Sequence, residues 1–245
     1  MQIKAIFFDL DGTLLPMDQE VFTKGYFRLL AGKLAPYGYQ PQPLIDAIWS
    51  GTAAMVKNDG SRRNEEAFWQ KFYSIFGEKS LQDKPLFEEF YRCEFRQAQS
   101  FCGYTPQAAT VVQLAKELGF RTVLATNPIF PRDATEIRLG WAGLSPADFE
   151  WITTYENTSY CKPNPLYFRT LAEQLGLQPQ ECLMVGNDAA EDLAAIQAGM
   201  QVFLILDCLI DRTHADLSTC LTGSFPQLAD HLRQLARQNA GEKNI

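Results

Sequence analysis

The chain has 245 residues and a formal net charge of -7. This length allows one large domain or two small ones, and the acidic balance argues against a nucleic-acid binder, which would carry a basic face. No apolar run is long enough to span a bilayer and no N-terminal signal is visible, so we expect a cytoplasmic protein without a membrane partner. The six scattered cysteines contain no CxxC pair and fit reduced thiols in that compartment.

The first predicted element is a short buried strand over residues 3–8, a run of strand-forming apolar residues that is too brief for a helix. Asp9 and Asp11 follow it directly. Residues i and i+2 of an extended chain point to the same side, so these carboxylates would lie side by side and repel each other. A proton or a cation would stabilise the pair, and Gly12 allows a tight turn or a close approach to a ligand. A solvated acidic turn is the alternative that this stretch alone leaves open.

Residues 17–103 show helical spacing and no convincing strand. Four helices are predicted, over residues 18–34, 43–57, 64–76 and 85–97. Asn64 is expected to begin the third helix, and Gly77 to end it. The many Phe and Tyr side chains in this segment are typical of the core of an antiparallel helix bundle.

From Tyr104 onward, helices alternate with apolar strands. Strands are predicted over residues 121–125, 149–153, 182–185 and 202–206, and helices over 107–118, 132–139, 165–175, 188–198 and 225–237, with residues 238–245 frayed. Repeated βα units favour a parallel sheet with helices on both faces, which the first strand would join. The predicted fold is α/β: a three-layer Rossmann-like core of residues 1–16 and 105–245, with an inserted α-helical bundle of residues 17–104.

Polar side chains follow three of the later strands. Thr126 and Asn127 come directly after the strand at 121–125, and Lys162 lies just before a predicted helix N-terminus, where anions are favoured. Asp188 follows the strand at 182–185, with Asp192 one helical turn further. Taken singly, these residues could be an ordinary turn, an exposed lysine and helix-capping acids.

The carboxyl ends of parallel strands share one edge of a sheet, where ligands bind. That edge would gather several carboxylates, a lysine, and hydroxyl and amide donors. Oxygen ligands of this kind suit Mg²⁺, which also binds substrate phosphate. The sequence therefore predicts a magnesium-assisted site.

With these motifs the sequence resembles the haloacid dehalogenase superfamily, over nearly the whole chain. The matching motifs are DLDGTL at residues 9–14, Thr126 with Asn127, Lys162 in KPNP, and GNDAAED ending at Asp192. The resemblance implies that the helical insertion is a cap domain of the first cap class. It also implies that Asp9 is the nucleophile that forms an aspartyl-phosphate, and that Asp11 is the general acid and later the base.

The remaining roles are also implied by the resemblance. The Asp9 carboxylate, the Asp11 main-chain carbonyl and Asp188 would bind Mg²⁺. Thr126, Asn127 and Lys162 would hold the phosphoryl oxygens, and Asp192 would support the site from behind. The role of Asn187 stays open.

The expected function is Mg²⁺-dependent hydrolysis of phosphoric monoesters of a small phosphorylated metabolite. Dehalogenases of the superfamily lack an acid at the position of Asp11, whereas an alkoxide leaving group benefits from a proton donor. A phosphosugar mutase of the same superfamily and a non-catalytic, receiver-like phosphorylation module remain as alternatives. Lys24, Arg62 and Arg63 are candidate substrate contacts in the cap, with solvated surface charge as the alternative. The sequence does not decide between monomer and dimer.

Overall fold

Parallel strands form one central sheet in the computed structural model, which describes residues 2–242. The strands are β1 (Ala5–Phe8), β2 (Arg121–Leu124), β3 (Trp151–Ile152), β4 (Cys182–Gly186), β5 (Gln201–Ile205) and β6 (Leu221–Gly223). Their order in the sheet is β3-β2-β1-β4-β5-β6, and every pairing is parallel. The predicted α/β class with a parallel sheet is confirmed.

The helices lie partly in an insertion and partly against the sheet. They are α1 (Gln19–Leu34), α2 (Pro41–Val56), α3 (Asn64–Phe76), α4 (Glu78–Arg92), α5 (Pro106–Glu117), α6 (Arg132–Trp141), α7 (Pro165–Gln174), α8 (Ala189–Asp192), α9 (Ala194–Ala198) and α10 (Phe225–Glu242). The first four, with a 3₁₀ helix at Glu94–Phe101, separate β1 from β2 in the chain. The domain boundaries at 16/17 and 104/105 stay a prediction. Within residues 2–242, no helix is both long and apolar enough to cross a bilayer.

Alternate residues of β1 pack into different layers. Ile6 and Phe8 belong to the apolar cluster that includes the helical insertion and α10, whereas Ala5 and Phe7 belong to the cluster with α7 and α9. All four side chains are fully buried. A strand covered on both faces needs such a continuous apolar run, because successive side chains point to opposite sides. Helices on both faces produce the predicted three layers.

The pairing of β1 sets the position of the site. Phe8 is in register with Leu124 of β2 and with Val185 of β4. The backbone N–H of Asp9 still donates to the Val185 carbonyl at 2.8 Å, after which the chain leaves the sheet. The polar residues that follow β1, β2 and β4 therefore emerge together at one edge.

Several element boundaries differ from the predicted ones. Helix α4 begins at Glu78 rather than 85 and ends at Arg92, because Gly77 adopts a positive φ of 63° that allows α4 to follow α3 at once; Pro85 lies inside the helix. The predicted helix over 188–198 is divided into α8 and α9 at Leu193. The short, partly exposed strand β6 has no sequence signal and was missed. The predicted fraying from residue 238 was wrong as far as 242, where α10 ends; residues 243–245 lie outside the described part of the chain.

Candidate active site

A buried lysine between two carboxylates forms the centre of the site. Lys162 Nζ donates to Asp9 Oδ1 at 2.9 Å and to Asp192 Oδ1 at 2.7 Å. The Lys162 side chain is 0% exposed. Burial alone would lower the pKa of Lys162, but the neighbouring Asp192 and Asp9 carboxylates outweigh this effect and raise the pKa above its ordinary value. The lysine is therefore charged at neutral pH, and it compensates part of the negative charge around it.

Asp9 remains short of positive charge despite this contact. Burial, with repulsion from Asp192 and Asp11, raises the pKa of Asp9 to about 7 against the opposing effect of Lys162. One ammonium group cannot balance this many acids. A second cation beside Asp9 would favour its ionised, nucleophilic form.

The loop after β1 is held by Asn187. Thr13 Oγ1 donates to Asn187 Oδ1 at 2.9 Å and lies 3.4 Å from Asp9 Oδ2. The Asn187 amide in turn donates to the Cys208 carbonyl at 2.8 Å. Gly12 has a φ of 84°, and a Cβ on it would overlap the Asn187 side chain. Asn187, whose role the sequence left open, thus ties together the loops after β1, β4 and β5.

Asp192 lies behind Lys162. Its Oδ2 accepts the backbone N–H groups of Asn187 and Asp188, both at 3.0 Å. The side chain is 1% exposed. Asp192 therefore positions the lysine and the loop after β4 at the same time.

Asp188 caps α8. Its Oδ1 accepts the backbone N–H groups of Ala190 and Glu191 at 2.8 and 3.1 Å. Asp188 thus has the helix-capping role that the sequence left open, and its Oδ2 takes no part in these hydrogen bonds. Burial raises the pKa of Asp188. Its role as a metal ligand stays a prediction.

The donor set suits a hard cation that keeps most of its water. Among residues 2–242, no three Asp, Glu, His or Cys side chains gather closely enough to hold a metal by themselves. The predicted set contains two carboxylates, of Asp9 and Asp188, and the Asp11 carbonyl. Burial disfavours the charge on both carboxylates. An oxygen-bound cation such as Mg²⁺ fits these residues, with water and phosphate oxygens completing its shell.

Asp11 is paired with Arg138, which the sequence analysis missed. The Arg138 guanidinium forms an ion pair with Asp11 Oδ2 and lies 4.3 Å from the centre of the Phe130 ring. Arg138 is 0% exposed, and its Nε donates to the Ala134 carbonyl at 3.2 Å. Asp11 Oδ1 is buried without a hydrogen-bond partner. Arg138 therefore engages one carboxylate oxygen of Asp11 and leaves the other without a protein partner. The sequence signal that could have indicated Arg138 is its position four residues after Ala134, which places a charged residue on the buried face of a predicted helix.

Thr126 and Asn127 lie at the end of β2, beside the central lysine site. The Thr126 carbonyl accepts the hydroxyls of Thr153 and Tyr167 at 2.8 and 2.9 Å, which fixes this loop. Asn127 Nδ2 donates to Glu191 Oε1 at 2.9 Å, and Asn127 Oδ1 is buried without a partner. Burial, with nearby carboxylates, raises the pKa of Glu191 to about 8. Glu191, to which the sequence gave no role, is thus a further acid at this edge.

A cavity of about 650 Å³ extends from Asp11, Asn127 and Glu191 into the helical insertion. The cap residues proposed from the sequence lie elsewhere. Lys24 is exposed and pairs with Glu20, while Arg62 contacts Gln70 and Arg63 donates to the Asn157 carbonyl. Lys24, Arg62 and Arg63 are not among the residues that line this cavity, and their contacts are those of the surface-charge alternative.

The parallel sheet and the carboxylate–lysine centre at its edge define a Rossmann-like hydrolase. A family model described as haloacid dehalogenase-like hydrolase matches residues 3–199. The chain belongs to this family.

Curated relatives include phosphatases. A glyceraldehyde 3-phosphate phosphatase of Methanothermobacter thermautotrophicus is 27% identical over 211 residues, covering 83% of this chain and 85% of that protein. A phosphoglycolate phosphatase of Neisseria gonorrhoeae is 26% identical over 200 residues, covering 80% and 77%. A solved structure, the 2-haloacid dehalogenase of Pseudomonas syringae, shares the fold with a TM-score of 0.62 at 19% identity, covering 95% of this chain and 99% of that one. The family and these relatives identify the chain as a phosphatase-type enzyme, of a class that generally depends on a metal ion.

Proposed function

We propose that the protein is a Mg²⁺-dependent phosphatase that hydrolyses small phosphoric monoesters through an aspartyl-phosphate on Asp9. The observation that carries the proposal is the buried Asp9–Lys162–Asp192 arrangement, with a second acid, Asp11, two residues after Asp9. A carboxylate held beside a buried ammonium group is suited to attack phosphorus, because phosphoryl transfer depends mainly on positioning and on neutralising charge.

In the first step an Asp9 carboxylate oxygen attacks the phosphorus atom, and the bond from phosphorus to the ester oxygen breaks. The departing alkoxide takes a proton from Asp11, so that an alcohol leaves. Lys162 stays beside Asp9 and offsets the charge of the phosphoryl group, to which Thr126 and Asn127 offer a hydroxyl and an amide. The proton would be carried by Asp11 Oδ1, since Oδ2 is paired with Arg138.

In the second step a water molecule attacks the phosphorus atom of the aspartyl-phosphate. Asp11, now deprotonated, takes the proton of that water, and the bond from phosphorus to the Asp9 oxygen breaks. Phosphate leaves and the Asp9 carboxylate is restored. Mg²⁺, held by Asp9, the Asp11 carbonyl and Asp188, would neutralise charge on the phosphoryl oxygens.

Asp11 favours phosphate esters over halides as substrates, because a halide leaves without a proton. A cytoplasmic location is part of the proposal. All six cysteines lie in the described part of the chain and carry free thiols, which suits a reducing compartment.

A screen of phosphorylated metabolites with Mg²⁺ and with a chelator tests the proposal. We expect release of phosphate with Mg²⁺, little with the chelator, and none from Asp9→Asn. The exposed Asp46 of α2 provides a matched control, and Asp46→Asn should retain full activity. Isomerised sugar phosphate without free phosphate would indicate the mutase instead. Stable phosphorylation by a small donor without turnover would indicate the receiver-like module.

A further inference from the structure

Aromatic rings form a large part of the wall of the cavity that extends from Asp11. Tyr26 lies 5.7 Å from Phe130 between ring centres, and Trp69 lies 5.4 Å from both Phe68 and Phe87. Each of these residues lines the cavity, and most of them are almost fully buried by their neighbours. A ligand body in this space would meet ring faces and edges on several sides.

Three hydroxyl groups on this wall, those of Tyr26, Tyr91 and Thr52, already have partners. The hydroxyls of Tyr26 and Tyr91 are 2.8 Å apart and bond to each other. Thr52 Oγ1 donates to the Ile48 carbonyl of its own helix at 3.0 Å. Among the buried lining groups, Trp69 Nε1 has no hydrogen-bond partner, and Asp11 Oδ1 and Asn127 Oδ1 are unpartnered near the site. A polyol body with a hydroxyl on every carbon would lose water on entering and leave several of its hydroxyls unpaired against the rings, which is costly.

Several charged groups around the cavity are paired as well. Glu65 lines the cavity and accepts a hydrogen bond at 2.7 Å from Lys84, which lies outside the cavity wall. Arg132 pairs with Glu136 at 3.2 Å, and Arg212 donates to Gln19 at 3.3 Å. Both arginines are exposed and so lie toward the solvent side of the cavity. Glu88, Arg92 and Asp133 also line the cavity and form no ion pair within the described residues, and Glu88 and Arg92 are exposed. Most charged groups therefore lie toward solvent, away from the buried rings.

The size of the cavity also exceeds what a three-carbon metabolite needs. A volume of about 650 Å³ corresponds to about 20 water molecules at the liquid volume of water. Trp49 on α2 extends the apolar wall outward: it is 51% exposed, lines the cavity, and packs edge-on against Phe27 at 5.5 Å. Exposed apolar surface of this kind often marks a binding site.

From these observations we infer that the preferred substrates are phosphate monoesters of large, predominantly aromatic alcohols, whose organic group fills this cavity while the phosphate reaches Asp9. The inference rests on the proposed phosphatase function and specifies its substrate class. Burial of an aromatic body against rings is favourable because it removes apolar surface of both partners from water. Recognition of the organic group would then come mainly from shape and apolar area.

Matched esters of primary alcohols test the inference. The Mg²⁺-loaded enzyme would be assayed for phosphate release from 3-phenylpropyl phosphate and 2-(2-naphthyl)ethyl phosphate, and from glycerol 3-phosphate and sorbitol 6-phosphate. All four leaving groups are primary alkoxides, so differences in kcat/KM report mainly on the organic group. We expect kcat/KM to be about 10-fold or more higher for the aryl esters, within the discrimination that apolar contacts supply.

A variant at the cavity mouth separates binding from folding. Trp49→Ala should raise KM for the naphthyl ester at least about 5-fold with little change in kcat. The lost apolar contact stabilises the bound substrate and the transition state equally. Tyr73→Ala is the control, since Tyr73 is a similarly exposed aromatic residue, 41% accessible, outside the cavity wall. It should leave both constants unchanged.

Acetyl phosphate distinguishes the two ways of failing, because its organic group is too small to use the cavity. Turnover of acetyl phosphate together with equal or higher kcat/KM for the polyol esters would overturn the substrate class and leave the phosphatase proposal standing. Equal effects of Trp49→Ala and Tyr73→Ala on the naphthyl ester would also overturn it. Absence of phosphate release from acetyl phosphate and from every ester would overturn the proposed function itself.

Discussion

Replacement of Lys162 by methionine should destabilise the protein far more than loss of an ordinary ion pair. The substitution removes the ammonium group 2.9 Å from Asp9 and 2.7 Å from Asp192, and leaves two almost fully buried carboxylates close together. Removing one partner of a buried ion pair costs about 3–5 kcal/mol. Such a loss is a large fraction of the roughly 5–15 kcal/mol by which a typical domain is stable.

The loss should depend on pH in a defined direction. Burial already raises the pKa of Asp9, and without the opposing charge of Lys162 the pKa of Asp9 in the folded protein should lie further above its value in the unfolded chain. Protonated Asp9 then supports stability below the unfolded pKa, and this support is lost as the pH rises through the folded pKa. The difference in free energy of unfolding from wild type should therefore be larger at pH 8 than at pH 5.

Urea unfolding without metal, at both pH values, measures this difference. Lys116→Met is the matched control: Lys116 pairs with Asp148 at 2.8 Å, but its side chain is 34% exposed. We expect a change below about 1 kcal/mol for this surface pair. Adding Asp192→Asn to Lys162→Met should recover part of the stability, because one uncompensated charge is removed. A pH-independent loss, or equal losses in the two lysine variants, would refute this description of the site.

Three further predictions concern the loop after β1 and the outer surface of the insertion. Asp11→Asn should slow the hydrolysis of alkyl phosphates by a factor of about 10²–10⁴. The first-turnover burst of nitrophenolate from p-nitrophenyl phosphate should persist, because nitrophenolate leaves without a proton. Loss of this burst together with alkyl phosphate hydrolysis, in stopped-flow assays, would contradict the general-acid role. Gly12→Ala should lower the free energy of unfolding by about 1–3 kcal/mol and reduce activity. The control Gly38→Ala, with a similar φ of 86° and open space around it, should cost less; equal costs would show that the close approach to Asn187 is unimportant. Arg62→Ala and Arg63→Ala should leave kcat and KM unchanged, and a rise in KM for either would place it on the substrate path.

The central residues of the site could be predicted from the sequence because each follows a strand directly. Asp9, Thr126 and Asp188 come within two or three residues of β1, β2 and β4, so the strand signal fixes their position in space. Lys162 was placed by its motif and by the helix that follows it. In these cases local sequence and tertiary position are linked by the geometry of a parallel sheet.

Arg138 could not be placed in the same way. Its contact with Asp11 joins residues 127 positions apart and depends on how α6 packs above the sheet edge. Helical periodicity gives the buried face of α6 but not the group that it faces. The ring-lined cavity could not be predicted for a related reason. The sequence assigns the aromatic stripes to the packing of the helices, but the space between those helices and the core depends on the tertiary arrangement.

The start of α4 shows the limit of local rules. Pro85 favours a helix N-terminus by its fixed φ and missing N–H, and a boundary was predicted there. In the structure the turn at Gly77 brings Phe87 and Phe90 into the core of the insertion, and packing of these residues outweighs the cost of an internal proline.

Direct detection of the phosphorylated enzyme tests the central claim most sharply. The Mg²⁺-loaded protein would be mixed with a phosphate monoester that it hydrolyses and quenched in acid within the first turnover. It would then be digested and examined by mass spectrometry. We expect a phosphoryl group on the peptide that contains Asp9, and none in Asp9→Asn or with a chelator present. Turnover without a phosphorylated Asp9 peptide, or a phosphoryl group on another residue, would contradict it.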